Sequence, residues 1–314
     1  MNFRSVSDTS MLIQKNLDKF VDTDVVIGIP RSGMLPATII ATLLNKPLGS
    51  IDTLIRGETL SQGQTRRIDS NPKSYNTLKP SDKILIVDDS IASGGSMNAA
   101  KNTIKNLNLI NKITFCAIYG SNSTRDVADI VLENLSHPRV FEWNIMHHPQ
   151  LSDCCIDIDG VLCRDPKDSE NDDSDRYLEF IRNVSPRVVP KHKIGFLVTN
   201  RLEKYREETE KWLHLNNFKY DQLYMLDLPS ANSRRALGDY HSHKASVYKK
   251  TGACLFIESD HSQAELIANS SGKYVYSLDN NTMYAPNLSI QSTVNSSKIF
   301  LRRVRFFLKN LLRK

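Results

Sequence analysis

Residues 84–96 read ILIVDDSIASGGS, and this stretch decides the fold of the first half of the chain. Four apolar residues predict a buried strand, two acids follow at its carboxyl end, and small residues then lead into a helix. In a parallel sheet, ligands bind beyond the carboxyl ends of the strands, and a Ser/Gly loop before a helix presents backbone N–H groups to a phosphate. The carboxylates of Asp88 and Asp89 can accept hydrogen bonds from vicinal hydroxyls and can bind Mg²⁺. The pattern therefore predicts a site for a phosphorylated ribose.

Short β-branched runs alternate with helical patterns along the chain, which is typical of parallel α/β layers. The first half has predicted strands at 24–29, 48–55, 83–87 and 112–118, and helices at 9–20, 34–45 and 96–107. After Pro149 the predicted strands are 154–158, 193–198, 222–226, 254–257 and 273–276, and the helices are 175–184, 202–216, 244–251 and 261–270. The 314 residues exceed one usual core. We therefore expect two Rossmann-like α/β domains, 1–149 and 150–280, and then a linker and tail, 281–314.

Residues 84–96 resemble the fingerprint of type I phosphoribosyltransferases, in which four apolar residues and two acids precede a phosphate loop. The resemblance implies that family's fold, with phosphoribosyl pyrophosphate (PRPP) as substrate and Mg²⁺ as cofactor. It assigns the ribose hydroxyls to Asp88 and Asp89. It assigns the 5-phosphate to Ala92, Ser93, Gly94, Gly95 and Ser96. Upstream, VVIGIPRSG at 25–33 fits the pyrophosphate loop of the family, whose donors would be Arg31, Ser32 and Gly33.

Two further regions complete the resemblance to this family. The polar, Gly-bearing segment 56–67 fits the mobile loop that closes over the reaction, and its Arg66 and Arg67 would neutralise pyrophosphate; the alternative is that both are merely solvated. Residues 1–20 and 120–148 together would recognise the acceptor. That second region offers three candidate bases, Glu142, His147 and His148. A structural or surface role for the His pair is the alternative.

The stretch CIDIDGVL at 155–162 places another pair of acids at the end of an apolar strand, two residues apart. Residues two apart in an extended strand face the same side, so Asp157 and Asp159 can face one metal and one phosphate. The stretch resembles the DxDG motif of the haloacid dehalogenase (HAD) phosphatases. This resemblance implies that Asp157 is the nucleophile and Asp159 the general acid and base.

The later HAD motifs follow in order along the chain. FLVTNR at 196–201 supplies Thr199 for the phosphoryl oxygens, and Lys244 would offset the charge of the nucleophile. The implied Mg²⁺ ligands are Asp157, Asp159, Glu258 and Asp260. Many relatives carry Asp in place of Glu258, so the choice between Glu258 and Asp260 stays open. Only about forty residues separate Asp157 from Thr199, and about forty-five separate Thr199 from Lys244, which leaves no room for a cap domain and predicts a capless HAD-like fold.

The formal net charge of +6 is concentrated at the C-terminal end. Seven of the 41 basic residues lie in 298–314, which has no acid, and the remaining 34 face 35 acids. A nucleic-acid binder would spread its cations over a folded face, so no nucleic-acid partner is expected. At helical spacing, 299–314 places an apolar stripe opposite basic side chains, which predicts an amphipathic helix on an anionic membrane surface. The alternative is a helix docked on its own domain or at a dimer interface.

We expect a cytoplasmic protein, peripheral at the inner face of the membrane through its tail. The sequence has no evident signal peptide or spanning segment, and its five cysteines lack metal or disulfide spacing. A phosphoribosyltransferase leaves a 5-phosphate on its product, which a fused phosphatase can remove. The whole chain resembles bacterial polysaccharide ribofuranosyltransferases, which implies a lipid-linked glycan acceptor. The alternatives are a nucleobase phosphoribosyltransferase with a nucleotide phosphatase, and a PRPP-sensing regulator.

Overall fold

The computed structural model describes residues 1–58, 60–61, 78–238 and 240–286. The chain divides into two compact units, unit 1 (Met1–Trp143) and unit 2 (Asn144–Lys314). The predicted arginines of the mobile loop, Arg66 and Arg67, and the predicted tail helix 299–314 lie outside the described residues. The predicted domain limits at 149/150 and 280/281 stay predictions.

Unit 1 is built on a parallel sheet with helices on both faces. Its strands are β1 (Asn2–Arg4), β2 (Val25–Gly28), β3 (Leu48–Ser50), β4 (Ile84–Ser90), β5 (Ile113–Gly120), β6 (Ile130–Asn134) and β7 (Arg139–Phe141). Its helices are α1 (Val6–Lys15), α2 (Met34–Leu44), α3 (Ile51–Arg56) and α4 (Gly95–Asn106). The sheet has the order β3-β2-β4-β5-β6, and β1 pairs with β7 separately, also in parallel. That pairing joins the two segments predicted to recognise the acceptor.

Side chains of β4 alternate between two apolar layers. Leu85 and Val87 pack in one layer, to which α1 and α2 contribute, while Ile84 and Ile86 pack in the other, to which α4 contributes. All four side chains are almost fully buried. A strand covered on both faces needs a continuous apolar run. Asp88 and Asp89 follow this apolar run near the carboxyl end of β4, where both are still buried.

Unit 2 contains a second sheet with a different strand order. Its strands are β8 (Cys154–Ile156), β9 (Ile194–Leu202), β10 (Tyr220–Leu226), β11 (Leu255–Glu258), β12 (Val275–Ser277) and β13 (Thr282–Tyr284). Its helices are α5 (Asp175–Asn183), α6 (Arg206–Leu215), α7 (Ala231–Leu237), α8 (Ser242–Lys250) and α9 (His261–Ser271). The order is β10-β9-β8-β11-β12-β13, parallel except for the antiparallel pair β12 and β13. The mixed α/β class with parallel sheets is confirmed.

Several predicted elements differ from those of the structure. The predicted strand 48–55 is wrong after Ser50, because Ser50 and Thr53 form a reciprocal capping box that starts α3. The helix predicted at 202–216 starts only at Arg206 in the structure, since β9 extends to Leu202. The antiparallel β13 and the seven-residue α7 were not predicted. Among the described residues, no helix combines the length and apolar character needed to cross a membrane.

Candidate active sites

The first site lies where β4 ends, and its two carboxylates are buried. Asp88 is 5% exposed and Asp89 is 4% exposed. Asp89 Oδ1 accepts a hydrogen bond from Ser32 Oγ at 2.9 Å, and Asp89 Oδ2 accepts one from Trp143 Nε1 at 2.7 Å. Both donors are neutral, so they fix the direction of the carboxylate without cancelling its charge.

The charge of Asp89 affects the ionisation of its neighbour Asp88. Burial, followed by the charge of Asp89, raises the pKa of Asp88 to about 7. The Asp89 backbone N–H donates to Asp88 Oδ1 at 3.0 Å, which opposes that shift. Asp88 therefore loses its proton near neutral pH. A bound cation, or a hydrogen bond from a ligand hydroxyl, can then take the place of that proton on the carboxylate.

The predicted pyrophosphate loop packs directly against the end of β4. β2 pairs with β4 so that Gly28 lies opposite Val87. A Cβ atom at Gly33 would lie 2.7 Å from the Val87 carbonyl oxygen and 3.0 Å from Asp88 Cα. Only glycine fits this approach without moving backbone. The structure thus brings Ser32 and Gly33 against the acids, as the pattern predicted for a shared site.

The predicted phosphate loop lines a cavity of about 190 Å³. Its lining runs from Ser90 to Met97 and includes Asp88. The five predicted loop residues, Ala92, Ser93, Gly94, Gly95 and Ser96, all belong to it. Gly94 has a φ of +87°, which places it just before α4 in the left-handed region. Backbone N–H groups at the start of a helix favour an anion, so this cavity suits a phosphate.

A buried arginine holds the beginning of the phosphate loop. Arg139 is 5% exposed, and its guanidinium donates to the carbonyl oxygens of Ile91, Gly120 and Leu135. Burial lowers the pKa of Arg139, and the charge of Asp89 opposes this shift. Sequence reasoning missed both Arg139 and Trp143. The short run RVFEW, in which a cation and a tryptophan flank apolar residues, was the available signal.

Two of the three candidate bases, Glu142 and His148, accept hydrogen bonds from backbone N–H groups. Glu142 Oε2 accepts from the backbone N–H of Val6 at 2.7 Å, at the start of α1. His148 Nδ1 accepts from the backbone N–H of Gln150 at 3.2 Å. His147 is exposed and belongs, like His148, to unit 2. These contacts favour a structural role for Glu142 and for His148.

The second site is a buried ion cluster at the carboxyl end of the unit 2 sheet. Lys244 Nζ donates to Asp157 Oδ2 at 2.6 Å and to Glu258 Oε2 at 2.8 Å. Lys244 is 2% exposed, Asp157 5% and Glu258 0%. The β8 and β11 strands are neighbours in the sheet, which places the two acids side by side, and α8 supplies the lysine. Three residues predicted to act together therefore do lie together.

The charges of this cluster do not balance within it. Two carboxylates share one ammonium, which leaves one excess negative charge in a buried place. Burial raises the pKa of Asp157, as does Glu258, while Lys244 opposes the shift. Burial alone would lower the pKa of Lys244, but the two carboxylates outweigh it and raise that pKa. A divalent cation with a preference for oxygen ligands would fit this charge and donor set.

Asp159 lies in a separate contact with a buried arginine. Arg201 is 1% exposed, and its Nε and Nη2 donate to Asp159 Oδ1 at 3.2 and 2.7 Å. β8 ends at Ile156, and Gly160 has a φ of +78°, so strand alternation does not continue to Asp159. The structure therefore places Asp159 against Arg201 instead of beside Lys244. Sequence reasoning gave Arg201 no role.

The remaining predicted residues have contacts of their own. Thr199 is 1% exposed, and its Oγ1 accepts from the Arg201 backbone N–H at 3.2 Å. Asp260 Oδ1 caps α9 by accepting from the Gln263 backbone N–H at 2.7 Å. Within the part of the chain that the structure describes, no three His, Cys, Asp or Glu side chains are grouped closely enough to hold a metal ion. The predicted set of four metal-binding acids is thus not gathered around one point.

Comparisons with known proteins indicate what part of this chain is similar to. A profile of the family described as Phosphoribosyl transferase domain matches residues 8–148. An adenine phosphoribosyltransferase of Ureaplasma parvum serovar 3 is 31% identical in a 108-residue alignment that covers 30% of this chain and 60% of that protein. The chain thus covers less than two thirds of that relative's length.

Two solved structures cover a larger share of this chain than that relative does. A purine phosphoribosyltransferase from Pyrococcus horikoshii Ot3 has a TM-score of 0.34 at 18% identity and covers 45% of this chain and 92% of its own. A xanthine-guanine-hypoxanthine phosphoribosyltransferase from Helicobacter pylori has a TM-score of 0.33 at 16% identity, with coverages of 46% and 93%. The family profile decides the assignment: the N-terminal part of this chain, residues 8–148, is a phosphoribosyl transferase domain of the type I family.

Proposed function

We propose that this chain is a bifunctional enzyme that transfers 5-phosphoribose from PRPP to a glycan acceptor and then removes the 5-phosphate. The observation that carries the two-step proposal is the Asp157–Lys244–Glu258 cluster of unit 2 in the same chain as a phosphoribosyl transferase domain. Installing a phosphorylated pentose and stripping its ester are consecutive reactions. Two sites of these kinds in one polypeptide favour that sequence.

The transferase step would use the first site to orient PRPP. Asp88 and Asp89 would accept hydrogen bonds from the ribose hydroxyls, and the cavity at 90–97 would hold the 5-phosphate. Ser32 and Gly33 would donate to the pyrophosphate. The bond from the anomeric carbon to pyrophosphate breaks and a bond to the acceptor oxygen forms, while the acceptor proton passes to a base. Mg²⁺ bound with PRPP would neutralise the leaving pyrophosphate.

The hydrolase step would use the second site as a capless HAD-like phosphatase. Asp157 would attack phosphorus and form an aspartyl phosphate, while Asp159 protonates the leaving sugar oxygen. Water would then cleave the aspartyl phosphate, with Asp159 accepting its proton. The bidentate contact between Asp159 and Arg201 must loosen for this role. Asp157 and Glu258 are the side chains that would hold Mg²⁺, which would offset the charge of the phosphoryl group.

The lipid-linked glycan acceptor is proposed from the architecture predicted by the sequence. Capless phosphatases by resemblance act on large substrates, and the basic amphipathic tail predicted at 299–314 would keep the chain at a membrane where such acceptors reside. We propose a cytoplasmic location at the inner membrane face on the same grounds. The proposal includes no nucleic-acid partner.

A purine acceptor is the second candidate. The relative from Ureaplasma parvum is named as an adenine phosphoribosyltransferase. In that case, the second site would act on the nucleotide product. A glycan acceptor and a purine acceptor differ in mass and in ultraviolet absorbance, so a single assay separates them.

The test incubates the full chain with PRPP and Mg²⁺, together with either adenine or a lipid-linked saccharide. We expect pyrophosphate release with the saccharide, and a product heavier than the acceptor by roughly 132 Da, the pentosyl increment. Turnover with adenine and none with any saccharide would contradict the glycan proposal and favour the second candidate. Omitting PRPP is the control for background hydrolysis.

A further inference from the structure

The connection between β10 and α8 contains a short helix, α7, that contacts the edge of the second site. The Ala231 backbone N–H donates to Asp173 Oδ2 at 2.9 Å, and Ser230 caps the helix. Arg234 Nη1 donates to the carbonyl oxygen of Asn200 at 2.9 Å. Asn200 directly follows Thr199, the residue proposed to hold the phosphoryl oxygens. This helix therefore lies beside the reacting end of the second site.

Two buried polar atoms in this contact have no hydrogen-bond partner among the described residues: Asn200 Oδ1 and Arg234 Nε. The other polar atoms of the same side chains are used. Asn200 Nδ2 donates to the Tyr240 carbonyl oxygen at 2.7 Å, and Arg234 Nη2 donates to Asn171 Oδ1 at 3.3 Å. Buried polar groups in folded proteins are normally paired. An unpaired acceptor and an unpaired donor on touching residues therefore indicate a ligand group that can both donate and accept.

The position of Asn200 in β9 connects this pair to the second site. Asn200 lies between Thr199 and Arg201, and Arg201 donates to Asp159. A hydroxyl group both donates and accepts, and a sugar phosphate carries hydroxyls next to its anionic group.

We propose that Arg234 and Asn200 form a binding subsite for the hydroxyl-bearing part of a sugar phosphomonoester. This inference rests on the proposed phosphatase function and names its substrate class. It also gives a role to α7, which lies in the connection between Thr199 and Lys244 that was predicted to hold no cap domain.

The test compares two substrates in the full chain with Mg²⁺: ribose 5-phosphate, which carries hydroxyls, and para-nitrophenyl phosphate, which carries none. Arg234→Gln should raise the KM for ribose 5-phosphate about tenfold, the cost of one charge-assisted hydrogen bond, and change para-nitrophenyl phosphate hydrolysis less than about twofold. Arg235→Gln is the matched control, since Arg235 is an exposed neighbour that donates to Asn171 and Asn232. It should leave both substrates unchanged.

Calorimetric titration of ribose 5-phosphate into Asp157→Asn and Asp157→Asn/Arg234→Gln gives a second readout that needs no turnover. Weaker binding by the double variant is expected. An equal effect of Arg234→Gln on both substrates, or no effect on ribose 5-phosphate, would overturn the subsite and leave the phosphatase function standing. If the unsubstituted chain hydrolyses neither substrate, the phosphatase function fails, and the titration alone decides whether the subsite exists.

Discussion

The two sites hold their carboxylates in opposite electrostatic settings. In unit 1, the hydrogen-bond donors on Asp89 are the neutral side chains of Ser32 and Trp143. In unit 2, Asp157 is held by the Lys244 ammonium and Asp159 by the Arg201 guanidinium. Both pairs of acids stand at the end of a buried parallel strand, so position in the fold does not explain the difference.

The charge of these donors determines how each site would interact with a phosphorylated ligand. A carboxylate whose donors are neutral side chains has no cation in contact with it, and it suits a ligand that brings hydroxyls and Mg²⁺. A carboxylate held by an ammonium is partly neutralised, which reduces its repulsion of an incoming phosphate. The first arrangement fits a binding role, and the second fits a nucleophile.

Removing the ammonium of the second site should have the largest effect on stability. Lys244→Met leaves Asp157 and Glu258 buried without a cation, and breaking such a pair costs about 3–5 kcal/mol. Urea unfolding of the full chain measures this loss. Lys211→Met removes an exposed pair with Glu207 and is the control expected to change little. Equal stability of the two variants would contradict the buried-cluster description.

Filling the close approach in the first site should have the next largest effect. In Gly33→Ala the added Cβ meets the carbonyl oxygens of Ile29 and Val87 at 2.6 and 2.7 Å. Such overpacking costs about 1–3 kcal/mol and should displace the loop from Asp88, so turnover of PRPP falls while phosphatase turnover persists. Gly252→Ala is the control, because no atom lies within 4 Å of its Cβ position. Unchanged PRPP kinetics in Gly33→Ala would contradict a role for this loop in PRPP binding.

The first site should titrate near neutral pH. The pKa of Asp88 is raised from 3.8 to about 7, so kcat/KM for PRPP should rise about tenfold from pH 6 to 8 as Asp88 ionises. Between pH 3.8 and about 7, the folded chain holds a proton that the unfolded chain has released, so the free energy of unfolding falls as pH rises.

Asp88→Asn tests both predicted pH dependences, the rise in kcat/KM and the fall in the free energy of unfolding. It should flatten the rise in kcat/KM and remove the matching part of the pH dependence of unfolding. Persistence of the same inflection in Asp88→Asn would show that another group titrates.

The smallest expected effect concerns the indole that holds Asp89. Trp143→Phe retains an aromatic ring to stack on Phe141, whose centroid lies 4.8 Å away, and loses only the hydrogen bond to Asp89. The KM for PRPP should rise about fivefold, as expected for one hydrogen bond of about 1 kcal/mol. Trp212→Phe removes an indole bond to the Val184 carbonyl oxygen in unit 2 and should leave that KM unchanged.

The parts of each site that the sequence predicts are those encoded locally. An apolar strand, two acids and a small-residue loop follow one another within residues 84–96, so their proximity requires only the local fold. The contacts of Trp143 with Asp89, and of Arg201 with Asp159, join residues 54 and 42 positions apart. Such contacts depend on strand order and register, which residue types alone do not specify.

Two errors in the predicted elements have a similar physical basis. The run after Ser50 is apolar enough for a strand, but the paired side chains of Ser50 and Thr53 cap a helix there. The seven residues of α7 include two arginines and little apolar periodicity, and contacts with Asn171, Asp173 and Asn200 stabilise the helix. In both places tertiary or capping interactions outweigh the hydrophobic pattern.

The most direct test of the two-site account is the mass of the product formed by Asp157→Asn from PRPP, Mg²⁺ and the saccharide acceptor. We predict that the unsubstituted chain adds roughly 132 Da, a plain pentosyl group, while Asp157→Asn adds roughly 212 Da, because the phosphate stays on the product. A fully dephosphorylated product from Asp157→Asn would contradict the division of labour between the two units.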